Sequence, residues 1–241
     1  MRVETAFDNG ELALTLSQHT PATPGQNDKA EFDIPVEIAL FDANGAPVRE
    51  PEVLRLNTAE KTWRFDGFDA EPTVSALRGF TAPVRLEYDQ SDAALARLMA
   101  HDSDPVARWD AGQALALQVL TDKAQGRPTA EAALIDAIGA TLADQRLDPA
   151  LRARAIALPS LVEIGDALAV YDVPAVFHAR RDLAQAIGAA LWAPLLDIYH
   201  TMGGAHDRDD LSAPAMASRA LANGALAYLV ASERPAAMAL A

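Results

Sequence analysis

Apolar residues recur at every second position over the first ninety residues, and after that they follow a helical spacing. Val3, Thr5 and Phe7 alternate, Asp8-Asn9-Gly10 supplies a turn, and Leu12, Leu14 and Leu16 resume the alternation. Asn-Gly readily takes positive φ, so this stretch predicts a tight β-hairpin. Phe32, Ile34, Val36, Ile38 and Leu40 form the cleanest alternation in the chain, closed by Asp42-Ala43-Asn44-Gly45. Shorter runs at 53–56, 62–65, 73–77 and 84–88 complete about seven strands with regular turns, the pattern of an antiparallel sandwich. Pro35 lacks an N–H, so its place within a strand predicts an edge or a bulge.

Beyond residue 90 the period becomes helical. Ser91 can cap a helix with Leu95, Leu98 and Met99 on one face. Asp104-Pro105 reads as an N-cap followed by proline at the first helical position. Val106, Trp109, Leu117 and Leu120 then share a side, and Leu134, Ile135, Ile138 and Leu142 make a further stripe. Asp148-Pro149 repeats the start signal 44 residues after the first. Ser160 and Glu163 have capping-box spacing. A long helix is predicted over 173–192, bent by Pro194, and Ser212 with Pro214 opens a last one that ends before Arg234-Pro235. The 44-residue interval suits helical repeats of about 40–47 residues, and an irregular bundle satisfies the same pattern.

Composition narrows the function classes. Of 241 residues, 50% are hydrophobic and 22% charged, as in a folded globular chain. No apolar run reaches the ~18–20 residues that cross a bilayer. The most apolar stretch, 184–196, is interrupted by Gln185, Gly188 and Pro194, and the N-terminus lacks a signal-peptide core. Cysteine is absent, which excludes disulfides, zinc–thiolate sites and cysteine nucleophiles and is compatible with a cytoplasmic setting. A net charge of −14 argues against nucleic-acid and anionic-membrane partners.

The candidate chemistry is sparse. None of His19, His101, His178, His200 and His206 is followed by Glu, so His-Glu-x-x-His is missing. Nucleophile-elbow and phosphate-cradling glycine motifs are missing too. The one suggestive cluster runs from His200 through Gly203-Gly204 to His206, Asp207, Arg208, Asp209 and Asp210. Imidazoles and carboxylates can ligate a metal, but this spacing fits a solvated interhelical turn better than a known site. His178, Arg180 and Arg181 read as a solvated helix face. Trp63, Trp109 and Trp192 read as packing residues. No catalytic, cofactor-binding or metal-ligating residue is therefore assigned, and the chain alone is not expected to be an enzyme.

One stretch asks for more than packing. In Leu14-Thr-Leu-Ser-Gln-His-Thr-Pro-Ala-Thr-Pro-Gly-Gln26, Pro21 and Pro24 bias Thr20 and Thr23 toward extended backbone and stiffen a loop. This segment resembles the strand and loop after the catalytic domain in the M1 family of zinc aminopeptidases. Phe32-Asp-Ile-Pro-Val-Glu-Ile-Ala-Leu-Phe-Asp-Ala-Asn-Gly45 and Phe80-Thr-Ala-Pro-Val-Arg-Leu-Glu-Tyr88 are similar to that family's later sandwich strands. His101-Asp-Ser-Asp-Pro-Val-Ala-Arg-Trp-Asp-Ala-Gly-Gln113, Asp148-Pro-Ala-Leu151 and Ala157-Leu-Pro-Ser160 resemble segments of its helical domain.

The resemblance implies an Ig-like antiparallel β-sandwich over residues 1–89 and an α-helical, repeat-like superhelical domain over 90–241, truncated at its end. It implies that zinc and the catalytic domain belong to the parent polypeptide, since neither the zinc motif nor Gly-x-Met-Glu-Asn occurs here. The chain then supports that catalytic domain and encloses the site where N-terminal residues leave peptides. Its partner is the missing catalytic domain, and it meets peptide substrates only through the parent. The apolar tail Ala236-Ala-Met-Ala-Leu-Ala241 is read as a cut through a longer helical stack, able to self-associate. The alternative is a stand-alone helical-repeat module that binds a peptide or protein.

Overall fold

A computed structural model describes residues 1–207 and 209–240. The chain divides into two compact units: 1–98 with 102–107, and 99–101 with 108–241. The break between them therefore runs through the last turn of one helix and the first turn of the next.

The first unit holds two sheets. Strands β1 (Arg2–Asp8), β2 (Glu11–Ser17), β5 (Glu60–Asp66) and β7 (Glu87–Tyr88) lie in the order β5-β2-β1-β7. Strands β3 (Ile34–Phe41), β4 (Glu52–Leu56) and β6 (Thr73–Ala76) lie in the order β4-β3-β6. The β1–β2 hairpin closes through Asn9 and Gly10, at φ 49° and 82°, as a two-residue loop with Asp8 opposite Glu11. A side chain at Gly10 would also press on the Phe68 carbonyl, 3.0 Å from its Cβ. Leu12, Leu14, Leu16, Ile34, Val36, Ile38 and Leu40 point into one shared core.

Pro35 sits opposite Arg55 of β4, while β6 covers only residues 38–41 of β3. On the β6 side the strand is locally an edge. Glu37, two residues on, sends its N–H away from β4 to the Thr81 hydroxyl at 3.3 Å. By the two-residue period, Pro35's missing N–H falls on that same open side.

Two strand expectations change. Phe32 continues the alternation but lies outside β3 and is 58% exposed, because pairing begins only at Ile34. The run 84–88 shortens to β7, two residues that pair parallel with β1. Leu77, Gly79 and Phe80 all take positive φ just before it, and Pro83 has no donor to offer a ladder.

The helices are α1 (Asp92–His101), α2 (Pro105–Ala124), α3 (Glu131–Ala143), α4 (Pro149–Ala155), α5 (Leu161–Asp166), α6 (Val173–Ala190), α7 (Trp192–Gly203) and α8 (Ala213–Ala231). Their starts are written locally. Ser91, Asp104, Asp148, Asp172 and Ser212 each accept a backbone N–H of the first turn. Ser160 and Glu163 complete a reciprocal capping box. The expected helix over 173–192 ends at Ala190, and α7 begins at Trp192, so Pro194 falls in a first turn where its missing N–H costs little. Asp104-Pro105 and Asp148-Pro149 both open helices, of 20 and 7 residues, so the start signal repeats while the helix length does not.

Val176, Ala179, Leu183 and Ile187 form the buried stripe of α6, and Leu221, Ala225 and Leu229 that of α8. These two helices approach so closely that a Cβ built at Gly188 would lie 2.0 Å from the Tyr228 carbonyl oxygen. Val106, expected on the apolar face of α2, is 44% exposed because it lies in the opening turn. No helix among the described residues is long and apolar enough to cross a membrane.

Candidate functional site

The histidine-rich turn does not assemble. His200 lies in the last turn of α7 and is exposed, packing edge-on against Tyr199. His206 lies 3.7 Å from Asp210, and Arg208 falls outside the described residues. Among the described residues no three His, Cys, Asp or Glu side chains gather as they must to hold a metal.

The tryptophans are half-buried rather than central, each roofed by a cation. Lys61 lies 4.8 Å over Trp63, Arg154 5.5 Å over Trp109 and Arg234 4.8 Å over Trp192. The stiff loop after β2 is held at its base by Gln18. Its Nε2 donates to the Phe32 carbonyl at 2.8 Å and the Thr58 carbonyl at 3.0 Å, and its Oε1 accepts the Phe32 N–H at 2.9 Å. Thr23 and Gln26 exchange backbone hydrogen bonds across Pro24-Gly25.

Two buried arginines organise the units, and neither stood out in the sequence. Arg78, 4% exposed, sits between the positive-φ residues Leu77 and Gly79. It donates to Asp102 at 2.9 Å, to the Ser103 hydroxyl at 2.7 Å and to Glu37 at 3.2 Å. The unfavourable backbone, of order 1 kcal/mol at each non-glycine residue, is offset by these charge-assisted bonds.

Arg108, 2% exposed, belongs to the Arg-Trp-Asp-Ala segment. It bonds the Met99 carbonyl at 2.7 Å, the Ala100 carbonyl at 2.6 Å and Asp144 at 2.9 Å. It thus satisfies orphan carbonyls at the end of α1 and ties them to the end of α3.

The Asp144 carboxyl is held well below the usual carboxylate range, first by the Arg146 hydrogen bond and then by Arg108. A depressed folded value contributes stability that is present above the unfolded pKa of about 3.9 and lost as pH falls toward the folded value. The melting temperature of the helical unit should therefore fall below about pH 4, and Asp144→Asn should flatten that acid limb while lowering stability at neutral pH. Parallel acid limbs for the two proteins in circular dichroism melts would exclude the assignment.

The α4–α5 linker is held from three directions. Tyr228 of α8 donates its hydroxyl to the Ile156 carbonyl. Gln113 of α2 reaches the Ala157 carbonyl at 2.8 Å, and Arg180 of α6 the Pro159 carbonyl at 2.8 Å. Burial pushes the Tyr228 phenol above its ordinary value, so it remains a donor. Beside this linker lies a recess of about 450 Å³ between α4, α5, α6 and α8. Small residues leave the space open: Ala184, Gly224, Ala227 and Ala231. Phe177 stands at the recess, half exposed, with Arg180 and Arg181 beside it. Both arginines border the recess, and they differ in their partners: Arg181 pairs with its neighbour Asp182, while Arg180 donates to the Pro159 carbonyl.

Known proteins match both units. Residues 1–89 match the model described as domain of unknown function DUF3458, Ig-like fold, and residues 92–241 match DUF3458_C, ARM repeats. Aminopeptidase N of Escherichia coli K12 is 37% identical over 202 residues, covering 79% of this chain and 23% of that protein. Aminopeptidase N of Caulobacter vibrioides is 38% identical over 147 residues, covering 60% of this chain and 17% of its own length. The crystal structure of Legionella pneumophila aminopeptidase A in complex with aspartic acid superposes with a TM-score of 0.80. It covers 99% of this chain and 28% of that one at 21% identity, which is a likeness of fold. The chain spans about a quarter or less of the length of these relatives. With an Ig-like domain and ARM repeats matched in succession over nearly every residue, the chain belongs to the DUF3458 and DUF3458_C family and is homologous to the non-catalytic C-terminal region of aminopeptidase N.

Proposed function

We propose that the chain is the accessory part of an M1 zinc aminopeptidase, with the sandwich supporting a catalytic domain and the helices enclosing its active site. The supporting observation is that similarity to aminopeptidase N extends over 79% of a chain whose sequence contains no His-Glu-x-x-His. Zinc, the general base and the pocket for the substrate's free amine then lie elsewhere in the parent polypeptide. Peptides reach this chain only as they pass to that site, and enclosure favours short peptides over folded proteins. A cytoplasmic setting belongs to the same proposal, supported by the absence of cysteine.

Turnover of an alanyl anilide tests the reading. The 241-residue chain should give the buffer rate with and without added zinc, while the complete parent polypeptide should cleave the substrate and lose that activity to a chelator. Zinc-dependent turnover by the chain alone would end the proposal, as would a parent polypeptide with no peptidase activity.

A further inference from the structure

The recess beside the α4–α5 linker combines an apolar wall with an unpaired cation. Arg180 spends its Nε on the Pro159 carbonyl, which fixes the plane of the guanidinium. Among the described residues it makes no ion pair, although acidic side chains outnumber basic ones by 34 to 20 in this chain. Arg152 and Arg154 make no ion pair among the described residues either, but neither lines this recess; Arg180 does, with its Nε held and the rest of its guanidinium left for a carboxylate.

We propose that this recess binds a small amphipathic carboxylate, with its apolar body against Ile156, Phe177 and Ala227 and its carboxylate on the free edge of Arg180. The volume of about 450 Å³ suits a ligand of roughly ten to fifteen heavy atoms. A guanidinium edge offers parallel N–H groups that match the two oxygens of a carboxylate. A phosphate presents three oxygens and needs further donors, and this wall has few to give. The Tyr228 hydroxyl is already committed to Ile156, and the neighbouring groups of the linker are carbonyls. Arg181 lines the same recess and adds a second positive charge, tempered by Asp182. A free acid and the α-carboxylate of a peptide present this same headgroup. The site depends on the helical unit alone and not on where peptide cleavage occurs.

Amide chemical shifts of the isotopically labelled 241-residue chain test the site, with 4-phenylbutyrate, N-acetylphenylalanine and the neutral 4-phenylbutan-1-ol as probes. Both acids should saturate and shift residues around Leu158, Arg180 and Gly224, and the alcohol should bind at least about tenfold more weakly. Tighter binding of N-acetylphenylalanine identifies a peptide terminus as the source, and tighter binding of phenylbutyrate a free acid. Arg180→Gln should remove the preference for acid over alcohol, and Ala227→Trp should fill the recess and abolish binding of both. Equal affinity of acid and alcohol for the unsubstituted protein overturns the proposal, whatever the variants do. So does a set of shifted amides that lies away from the recess, or the absence of saturation by either acid.

Discussion

Gly188→Ala lowers the melting temperature of the helical unit by about 6–12 °C, the equivalent of about 3 kcal/mol. The methyl group would lie 2.0 Å from the Tyr228 carbonyl oxygen and 2.9 Å from its carbonyl carbon. Both are backbone atoms of α8, so no rotamer change relieves the clash and the helices must separate. Alanine's higher helix propensity returns only about 1 kcal/mol. Separation also pulls Tyr228 from the Ile156 carbonyl and breaches the buried stripe that includes Ile187 and Leu229. Gly224→Ala is the control, since its nearest neighbour is the Ile156 Cδ1 at an ordinary 3.7 Å. That variant should melt within a few degrees of the parent or slightly above it. Equal melting temperatures for the two variants, followed by circular dichroism at 222 nm, would refute the close crossing of α6 and α8.

Arg108→Met should cost about 3–5 kcal/mol, read as a lowered urea midpoint. Methionine fills much of the same volume, so the loss reports the hydrogen bonds more than a cavity. The carbonyls of Met99 and Ala100 lose their donor, and Asp144, only 10% exposed, loses one of its two arginine partners. Leaving a buried polar group unsatisfied is more costly than the net gain from making its bond. Arg108→Lys should recover only part of the loss, because one ammonium cannot span two carbonyls and a carboxylate with the geometry of a guanidinium. A midpoint within experimental error of the parent for Arg108→Met would mean that the clamp is dispensable.

Features written in neighbouring residues were legible from the sequence. The Asn9-Gly10 hairpin, the alternation of β2 and β3, and the caps at Asp104, Asp148 and Ser160 each depend on a few adjacent positions. The misreadings occurred where a local pattern outran its tertiary partner. Phe32 keeps the alternation of β3 but has no strand opposite, and Val106 keeps the helical period but lies in a first turn. The clamps were not legible for the opposite reason. Arg78 and Asp102 are 24 residues apart, Arg108 and Asp144 are 36, and Gln113 and Ala157 are 44. Nothing near an arginine or glutamine says that it will be buried on a partner so distant. The Arg-Trp-Asp-Ala and Ala-Leu-Pro-Ser segments were conspicuous as resemblances, and the structure gives them a physical reason: one carries the clamp on α1, the other the linker held from three helices.

The pairing of Arg78 with Asp102 bears on any attempt to divide the molecule. A piece severed where the strands give way to helices would keep the guanidinium and forfeit the aspartate and serine that neutralise and bind it. The severed sandwich would then leave its buried cation with Glu37 as its one remaining carboxylate partner, and the liberated helices would carry a stranded acid. A cut after Ala107 keeps Arg78 with Asp102 but parts Arg108 from the Met99 and Ala100 carbonyls, because residues 99–101 belong with the helices while 102–107 belong with the strands; no single scissile point at this boundary spares both clamps.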